Sequence, residues 1–253
     1  MKKAILVAII GAMTLGVNAG DWGKAPVIDK APIEECYDIG GEISAGYMTD
    51  YIFYGVRYAR DSVWTDANYT FDSLWAPINI GAWYLSGTDG LGYEELNLYA
   101  SVEVGSYAGF DASLYYVHYF YPGTGGGSYG EVGLDLAYSL GFADLSWRSG
   151  FGIDFGWYHE AGISREFGIT DTVSLVLGAG LGYTDGYNGG LSSWNHYYVN
   201  AELPIELNCR ATLTPYIGYN GGPNGYAVDG FGGNGYGPQS DILHGGVSLS
   251  VSF

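Results

Sequence analysis

The sequence has few basic residues and few charges of either sign. Lys and Arg account for 9 of 253 residues, against 27 Asp and Glu, and the formal net charge is -18. Charged residues make up 14% of the chain, whereas an ordinary soluble domain has about 25%. Because nucleic-acid binding needs a basic surface that neutralises phosphates, the composition argues against DNA or RNA as a partner.

Proline, cysteine and cofactor motifs are also scarce. The chain has 8 Pro and 2 Cys, and its 43 Gly follow no Gly-X-Y period, so it is not collagen-like. Apolar and aromatic residues make up 47% of the sequence and are spread along its whole length, which excludes a disordered protein. No HExxH, CxxC or P-loop motif occurs, so we expect no metal ion and no other cofactor.

Long hydrophobic runs are missing except at the N-terminus. Lys2 and Lys3 precede an apolar segment from Ala4 to Val17, and Val17-Asn18-Ala19 places small residues where a signal peptidase cleaves. We therefore predict a signal peptide at residues 1–19 and export of the mature chain. Beyond it, no stretch reaches the roughly 18 apolar residues of a membrane helix, so any passage through a membrane has to use strands.

From about residue 39 the sequence alternates between apolar and polar residues. In Glu95–Val104 every even position is apolar and every odd position is polar or Tyr, and residues 131–140 repeat the pattern. A period of two predicts β-strands with one apolar and one polar face. Twelve such runs predict strands at 39–57, 63–71, 75–85, 93–105, 109–120, 128–140, 143–155, 157–168, 172–183, 194–207, 211–220 and 241–253.

The connections between these strands fall into two alternating sets. One set has two or three residues, near 72–74, 106–108, 141–142, 169–171 and 208–210; the other is mostly longer, at 86–92, 121–127, 184–193 and 221–240. An even strand number with this asymmetry is typical of an outer-membrane barrel. We predict an all-β fold: a single antiparallel transmembrane β-barrel of about 12 strands over residues 39–253, with short periplasmic turns and longer extracellular loops. Residues 20–38 form a periplasmic N-terminal strap.

A secreted β-sandwich or jelly roll would also alternate. Two features favour the barrel. The chain ends in Val247, Leu249, Val251 and Phe253 on one face of a last strand, an ending that resembles the signal recognised by the outer-membrane assembly machinery. Aromatic residues also crowd the predicted strand ends, where interfacial girdles lie: Tyr47, Tyr51, Phe53, Tyr54, Trp75, Tyr84, Tyr116, Phe120, Phe155, Trp157, Phe167, Tyr183 and Tyr219.

Two short motifs resemble a known family. Asp50-Tyr51-Ile52-Phe53-Tyr54-Gly55-Val56, followed by the turn Tyr121-Pro122-Gly123, is similar to the TorF-type porins, conserved proteobacterial outer-membrane proteins of unknown function. The family pattern has Arg where this chain has Tyr54. The resemblance extends over residues 40–253 and implies an outer-membrane location and a channel, without a substrate.

The polar phase of the strands defines the predicted lumen surface. Lipid-facing positions tolerate only apolar groups at low cost, so polar positions point inward. If these inward residues line an open pore, the acidic lumen favours cations. The alternative is that the inward polar residues solvate a partly filled lumen, with Arg148 paired to Asp135 or Glu160. The predicted pore-lining residues are Glu42, Asp66, Glu95, Glu103, Asp111, Glu131, Asp135, Arg148, Glu160, Glu202, Trp83, Tyr99 and Tyr198.

Large aromatic residues share the polar phase. A twelve-strand barrel has a limited free diameter, so these rings either fill it or line it and stack on a sugar-like or nucleoside-like solute. Packing is the simpler role for most of them. The rings are Trp64, Trp83, Tyr99, Tyr115, Tyr119, Tyr158, Tyr198 and Tyr216.

Catalysis is a remote alternative, because some barrels hydrolyse lipids with an outward Ser-His pair. The four histidines are not followed two residues later by Ser, and they lie on four different predicted strands. We therefore predict no catalytic residues and no enzyme activity.

The sequence as a whole predicts an outer-membrane channel that passes small solutes, either cations or neutral molecules, through an acidic, aromatic-lined lumen. Its expected partners are outer-membrane lipid, the assembly machinery and an unidentified small solute. The second hypothesis is a non-conducting barrel whose extracellular loops bind or adhere to a partner.

The two cysteines give the first prediction. Cys36 precedes the first strand and Cys209 lies in a short turn, so the topology places both in the oxidising periplasm. We predict a disulfide between them that ties the N-terminal strap to the barrel. Intact mass measured with and without alkylation under non-reducing conditions should show no labelled thiol; two labelled thiols would contradict the pairing.

Overall fold

The fold consists of strands joined by turns. The computed structural model describes residues 39–72, 75–123, 125–187, 192–222 and 241–253. Those residues contain no helix long and apolar enough to cross a membrane. The predicted all-β barrel is confirmed. The predicted signal peptide (1–19) and strap (20–38) lie outside the described residues.

Twelve strands form the barrel wall and one short strand extends it. Predicted strand ten, 194–207, is interrupted by Leu203 and Pro204, because proline has no N–H to donate to a ladder. The strands are β1 Gly41–Phe53, β2 Val56–Asp72, β3 Pro77–Gly87, β4 Glu94–Tyr107, β5 Phe110–Phe120, β6 Ser128–Ser139, β7 Asp144–Gly152, β8 Gly156–Gly168, β9 Ser174–Asp185, β10 Ser192–Glu202, β11 Ile205–Glu206, β12 Ala211–Gly221 and β13 Asp241–Ser252.

The sheet closes on itself through its first and last strands. Consecutive strands from β1 to β10 pair antiparallel, β10, β11 and β13 pair with β12, and β1 pairs with β13 from Glu42 opposite Ser252 to Met48 opposite Gly246. Ile39 N–H also donates to the carbonyl of Phe253 at 3.0 Å. Closure gives every wall strand two partners and removes the exposed edges of an open sheet.

The two ends of the barrel differ as the sequence predicted. Short turns at 108–109, 140–143 and 207–210 lie at the same end as Ile39 and Phe253, which we call the turn end. The longer connections lie at the opposite end, the loop end. Two connections at the loop end are short, at residues 54–55 and 153–155.

The first hairpin differs from its predicted form. The sequence indicated strands at 39–57 and 63–71, but β1 ends at Phe53 and β2 begins at Val56. Tyr54 (φ 47) and Gly55 (φ 78) make the tight turn, which needs positive φ at both positions. The alternation hid this turn because aromatic residues continue through it.

The predicted aromatic girdle is wrong at three positions of this hairpin. Tyr51, Phe53 and Tyr54 are buried inside the barrel, with exposed fractions of 0%, 3% and 8%. They lie inside because the hairpin bends into the lumen, as described below.

The outer surface of the wall is apolar. Outward positions carry exposed branched side chains in strands on all sides of the barrel, and Trp and Tyr side chains lie toward the strand ends. Such a band fits the hydrocarbon layer of a bilayer. Its members include Ile43, Ile80, Leu98, Leu114, Val132, Ile163, Leu177, Val199 and Leu249.

Inward aromatic rings lie over glycines of the neighbouring strand. Tyr99 pairs in register with Gly81, and a Cβ built on Gly81 would lie 2.3 Å from the Tyr99 ring. The rings therefore occupy the space that a side chain at the glycine would fill, close to the wall. The same arrangement recurs for Tyr115 on Gly133, Tyr198 on Gly180, His196 on Gly182, Trp64 on Gly46 and Tyr216 on Gly246.

Substitution of one such glycine should destabilise the barrel. In Gly133→Ala the new methyl would lie 2.3 Å from Tyr115 Cζ and 2.5 Å from the carbonyl oxygen of Ser149. We expect a loss of about 1–3 kcal/mol in the free energy of unfolding in urea, the usual cost of overpacking. Gly168→Ala is the matched control, because nothing lies within 4 Å of its Cβ. Equal stability of the two variants would contradict the ring-on-glycine packing.

Candidate functional site

Part of the first hairpin leaves the wall. β1 pairs with β13 only as far as Met48, and β2 pairs with β3 only from Ser62 onward. Between these points the chain from Asp50 to Arg60 pairs with itself, with a register shift at Tyr51/Ile52. We call residues 50–60 the inner hairpin. Since residues 50–60 have no ladder pairing with β13 or β3, the register that fixes the other strands does not constrain them.

The tip of the inner hairpin reaches the opposite wall. The Tyr54 ring stacks on Tyr158 of β8, with centroids 3.6 Å apart and an interplanar angle of 17°. The Asn195 side-chain amide donates to the carbonyl of Tyr54, and a Cβ on Gly55 would lie 2.6 Å from the His196 ring. Only glycine fits there. The hairpin therefore crosses the lumen from β1–β2 to β8 and β10.

A buried carboxylate accepts a hydrogen bond from the tyrosine hydroxyl at the hairpin tip. Glu131 of β6 is 0% exposed. Its Oε1 accepts hydrogen bonds from Tyr54 at 2.7 Å and Tyr115 at 2.8 Å, and its Oε2 accepts one from Tyr187 at 2.5 Å. Three phenol donors replace the water that a carboxylate needs when it is buried.

A second buried carboxylate is held in the same way. Glu95 of β4 is also 0% exposed. It accepts hydrogen bonds from Tyr51 of the inner hairpin at 3.0 Å, from Tyr93 at 2.5 Å and from the Asn97 amide at 2.7 Å. Burial raises the pKa of Tyr93 and of Tyr187, both outside the strands, so these hydroxyls stay protonated and donate.

An aromatic cluster fills the lumen around the two carboxylates. The Tyr51 centroid lies 5.4 Å from Trp83 and 5.9 Å from Tyr93, while Phe53 stacks on Tyr54 at 4.0 Å. The cluster lies inside the barrel toward the loop end. Its members are Tyr51, Phe53, Tyr54, Tyr58, Trp83, Tyr93, Tyr119, Tyr129, Tyr158 and Tyr187.

The rest of the lumen, toward the turn end, is more polar. Tyr99 donates to Asp66 Oδ1 at 2.7 Å, and the Asn200 amide donates to Glu202 at 3.0 Å. Glu103 and Glu42 are partly exposed. This half combines carboxylates with rings that lie on glycines, such as Tyr99 and Tyr216.

Arg57 and Arg148, the two buried or half-buried arginines of the described residues, are both paired with carboxylates. Arg148 Nε and Nη2 donate to Asp135 at 2.7 and 2.9 Å, so the predicted pairing with Asp135 is confirmed. Arg57 Nε lies 2.7 Å from Asp50 Oδ1 within the inner hairpin. Further inward carboxyl groups, among them Glu95, Glu131 and Glu202, accept hydrogen bonds from neutral donors instead.

Most of the predicted pore-lining residues separate into two groups. One group lies in or against the aromatic cluster and consists of Glu95, Glu131 and Trp83. The other group lies nearer the turn end and consists of Glu42, Asp66, Tyr99, Glu103, Asp135, Arg148 and Glu202. Glu160 accepts from Tyr158 at 2.5 Å and from Tyr198 at 3.2 Å. Asp111 is exposed near the β4–β5 turn.

The sequence did not reveal five residues of this site. The predicted girdle includes Tyr51 and Tyr54, and a predicted loop includes Tyr187. The sequence pattern gives no role to Tyr93 or Asn195. An available signal was Tyr54-Gly55, a pair that can turn with positive φ inside an apparently continuous strand. Their meeting at Glu131 and Glu95 depends on long-range contacts that no local pattern encodes.

The predicted assembly and disulfide residues lie at the turn end. Val247, Leu249 and Val251 point outward on β13, and the chain ends at Phe253. Cys209 is in the turn before β12, while Cys36 lies outside the described residues, so the disulfide stays a prediction.

One Ser-His contact on the outer face bears on catalysis. Ser149 Oγ lies 2.9 Å from His159 Nδ1, and the His159 ring stacks between Trp147 and Trp157. The two residues lie on adjacent strands, which is why sequence spacing missed the pair. Among the described residues, no carboxylate or amide bonds the other ring nitrogen, and both backbones lie in the β7–β8 ladder. The contact lacks the third group and the oxyanion donors of a hydrolase.

No metal centre is formed by the described part of the chain. Nowhere in it do three or more His, Cys, Asp or Glu side chains converge to hold an ion. Glu131 and Glu95 have phenol and amide donors where a metal site would need further oxygen or nitrogen ligands.

Three solved structures have a similar fold. A KdgM porin has a TM-score of 0.54 at 9% sequence identity, covering 84% of this chain and 99% of that chain. An outer membrane channel from Pseudomonas putida F1 has a TM-score of 0.54 at 11% identity, covering 90% and 100%. A NanC porin has a TM-score of 0.51 at 10% identity, covering 84% and 100%. At these identities the similarity shows the fold alone.

Sequence comparisons give no closer relative. No protein-family model matches the chain, and no curated protein matches it. The chain shares the barrel fold of porins, and its resemblance to the TorF-type porins stays a prediction.

The Asp135–Arg148 pair should be important for stability. In Asp135→Ala the Arg148 side chain, 17% exposed, would keep its charge without its carboxylate partner. We expect a loss of about 3 kcal/mol in the free energy of unfolding in urea, because breaking a buried pair leaves an uncompensated charge. The double variant Asp135→Leu/Arg148→Met should recover most of it. A fully stable Asp135→Ala variant would contradict the pair's role.

Proposed function

We propose that this protein is an outer-membrane channel for small solutes, closed in this conformation by the inner hairpin. The observation that carries the proposal is the inner surface of the wall, which is acidic and polar although it is enclosed by an apolar outer band. Buried polar groups are costly unless they are bonded or wet.

The packing of the inward rings supports a passage. Tyr99, Tyr115 and Tyr198 lie against glycines of adjacent strands rather than projecting toward the barrel axis. This arrangement keeps the rings close to the wall, where Tyr99 and Tyr115 are 6% and 5% exposed. A lumen evolved only for packing would place side chains at those glycines.

The inner hairpin supports closure by a movable element. Residues 50–60 have no ladder partner in the wall, so their displacement breaks side-chain contacts and leaves the barrel's backbone hydrogen bonds intact. The contacts with the far wall include the Tyr54 hydroxyl bond, the Tyr54–Tyr158 stack and the side-chain amide bonds from Asn195 and Asn220 to the carbonyls of Tyr54 and Gly55.

The charge of the lumen supports cations or neutral molecules as solutes. A KdgM porin has been solved in complex with oligogalacturonate, a polyanion at neutral pH. The described lumen here carries two arginines that are paired with carboxylates, and further carboxylates, such as Glu95, Glu131 and Glu202, whose hydrogen-bond donors are neutral groups, so like-charge repulsion disfavours such an anion. The solute therefore differs in charge from that ligand.

A second candidate function rests on the aromatic cluster. If the inner hairpin never moves, the cluster fills the lumen and the protein is a non-conducting barrel whose loops bind a partner. The two functions differ in conductance.

Conductance of the refolded chain in planar bilayers tests the channel. We expect rare or brief openings for the wild type. Tyr54→Ala should increase the open probability about tenfold or more, because it removes a bond to a charged group and a ring stack. Tyr219→Phe is the control, since it loses a similar hydroxyl bond to Asp241 on the outer face of the barrel. A folded but silent Tyr54→Ala variant would favour the non-conducting barrel.

The reversal potential in a KCl gradient tests the charge preference. Open channels of Tyr54→Ala should prefer cations, and adding Glu202→Gln should reduce that preference, because this carboxylate lies in the half near the turn end. Asp154→Asn removes the same charge from an exposed turn, so its reversal potential should hardly change. Anion preference in the parent variant would contradict the acidic-lumen argument.

A further inference from the structure

We infer that the tip of the inner hairpin occupies the channel's own solute site, and that the natural occupant is a neutral ring bearing hydroxyl groups. The inference rests on the proposed channel and adds the site and the chemical class of its ligand. It follows from what surrounds Tyr54 and Tyr51.

The Tyr54 ring is held as a bound ring would be. One face lies on Tyr158 at 3.6 Å, and Tyr187 presents its edge at 5.2 Å with an angle of 80°. Its hydroxyl donates to Glu131. Stacking on one aromatic face with a hydroxyl directed to a carboxylate is how small-ligand sites combine apolar area with a few placed polar groups.

The residues that surround the Tyr54 ring keep hydrogen bonds that do not involve the hairpin. When Tyr54 leaves, Glu131 keeps the hydroxyls of Tyr115 and Tyr187, and Tyr158 keeps its bond to Glu160. The slot is therefore built by the wall and by the loop after β9. A preformed slot costs little ordering when a ligand enters.

A second subsite adjoins Tyr51. Its hydroxyl donates to Glu95, which retains Tyr93 and Asn97 when the hairpin leaves. Trp83 and Tyr93 flank the Tyr51 ring at 5.4 and 5.9 Å. The hairpin thus places two phenol rings on two wall carboxylates.

Two buried polar atoms beside this subsite have no hydrogen-bond partner among the described residues. They are Trp83 Nε1, a donor, and Asn97 Oδ1, an acceptor, on side chains that are 2% and 6% exposed. Trp83 and Asn97 are register partners on β3 and β4, and both point inward. A hydroxyl group both accepts and donates, so one ligand hydroxyl can satisfy both atoms.

These features define the ligand class. The aromatic faces select a ring with an apolar face, and the carboxylates Glu131 and Glu95 select hydroxyl donors and repel anions. A free cation would use the carboxylates but not the Trp83 N–H. Neutral saccharides and neutral phenols share the required chemistry, and suitable probes are maltotriose and benzene-1,4-diol.

The hairpin then acts as an internal competitor. A ligand binds only the fraction of molecules in which the hairpin has left the slot, so its apparent affinity falls by that fraction. Weakening the hairpin should therefore strengthen ligand binding, which is the opposite of what loss of a direct ligand contact would do.

Calorimetric titration of the refolded full chain in detergent tests the site without requiring conduction. Tyr54→Ala should bind maltotriose or benzene-1,4-diol at least about tenfold more tightly than the wild type, and Asn195→Ala should shift the affinity in the same direction. Adding Glu131→Ala to Tyr54→Ala should abolish the gain. Tyr219→Phe, which loses a hydroxyl bond to Asp241 on the outer face, should bind like the wild type, and trigalacturonate should not bind any variant. Heat-dependent gel mobility checks that each barrel is folded.

The outcomes separate the site from the channel. Tighter binding of maltotriose alone identifies the ligand class as a saccharide. Tighter binding of benzene-1,4-diol alone identifies it as a phenol. Either result supports the site. Unchanged affinity for both probes in folded Tyr54→Ala and Asn195→Ala, or equal binding of trigalacturonate, overturns it. If Tyr54→Ala conducts ions but binds both probes no more tightly than the wild type, the proposed site is wrong and the proposed channel still stands. Tighter binding in a barrel that stays silent supports the site and contradicts the channel.

Discussion

The close contact between inward rings and glycines of the neighbouring strand is the constraint on which the interior depends. A barrel of twelve strands has a narrow lumen, and large side chains on facing strands would fill it. Placing a glycine in register with a ring lets the ring lie on the wall, as Tyr99 does on Gly81 and Tyr115 on Gly133. This packing leaves space for carboxylates along the lumen and for a hairpin that folds into it.

The inner hairpin uses the space that the wall provides. It replaces solvent at Glu131 and Glu95 with phenol hydroxyls, and its ring stacks on Tyr158, so the buried carboxylates and the aromatic cluster stabilise each other. Either part alone would be costly: the carboxylates would be desolvated without donors, and the rings would expose apolar surface to a wet lumen. Stability of the closed form and the chemistry of the proposed solute site therefore have the same origin.

The alternation of apolar and polar residues predicted the strands of the wall well and the arrangement of the interior poorly. Alternation gave the strands from β3 to β9 within a few residues, and it gave the inward phase of Arg148 with its partner Asp135. It failed at the first hairpin, where Tyr54 continued the aromatic run, and at Pro204, where a strand is interrupted. Three aromatic residues assigned to a membrane girdle, Tyr51, Phe53 and Tyr54, belong to the interior. A period of two distinguishes faces of a strand but does not show when a strand leaves its sheet.

The sequence by itself determined the all-β class, the number of wall strands, the two kinds of connection and the apolar and acidic faces, because side-chain alternation and turn length are local properties of a strand. Only the tertiary structure decided that residues 50–60 fold into the lumen, that two carboxylates are buried under tyrosines, and that Ser149 meets His159 on the outer face. Each of these depends on contacts between strands far apart in the chain. Such contacts are set by register, closure and the space that glycines leave, and no short segment encodes them.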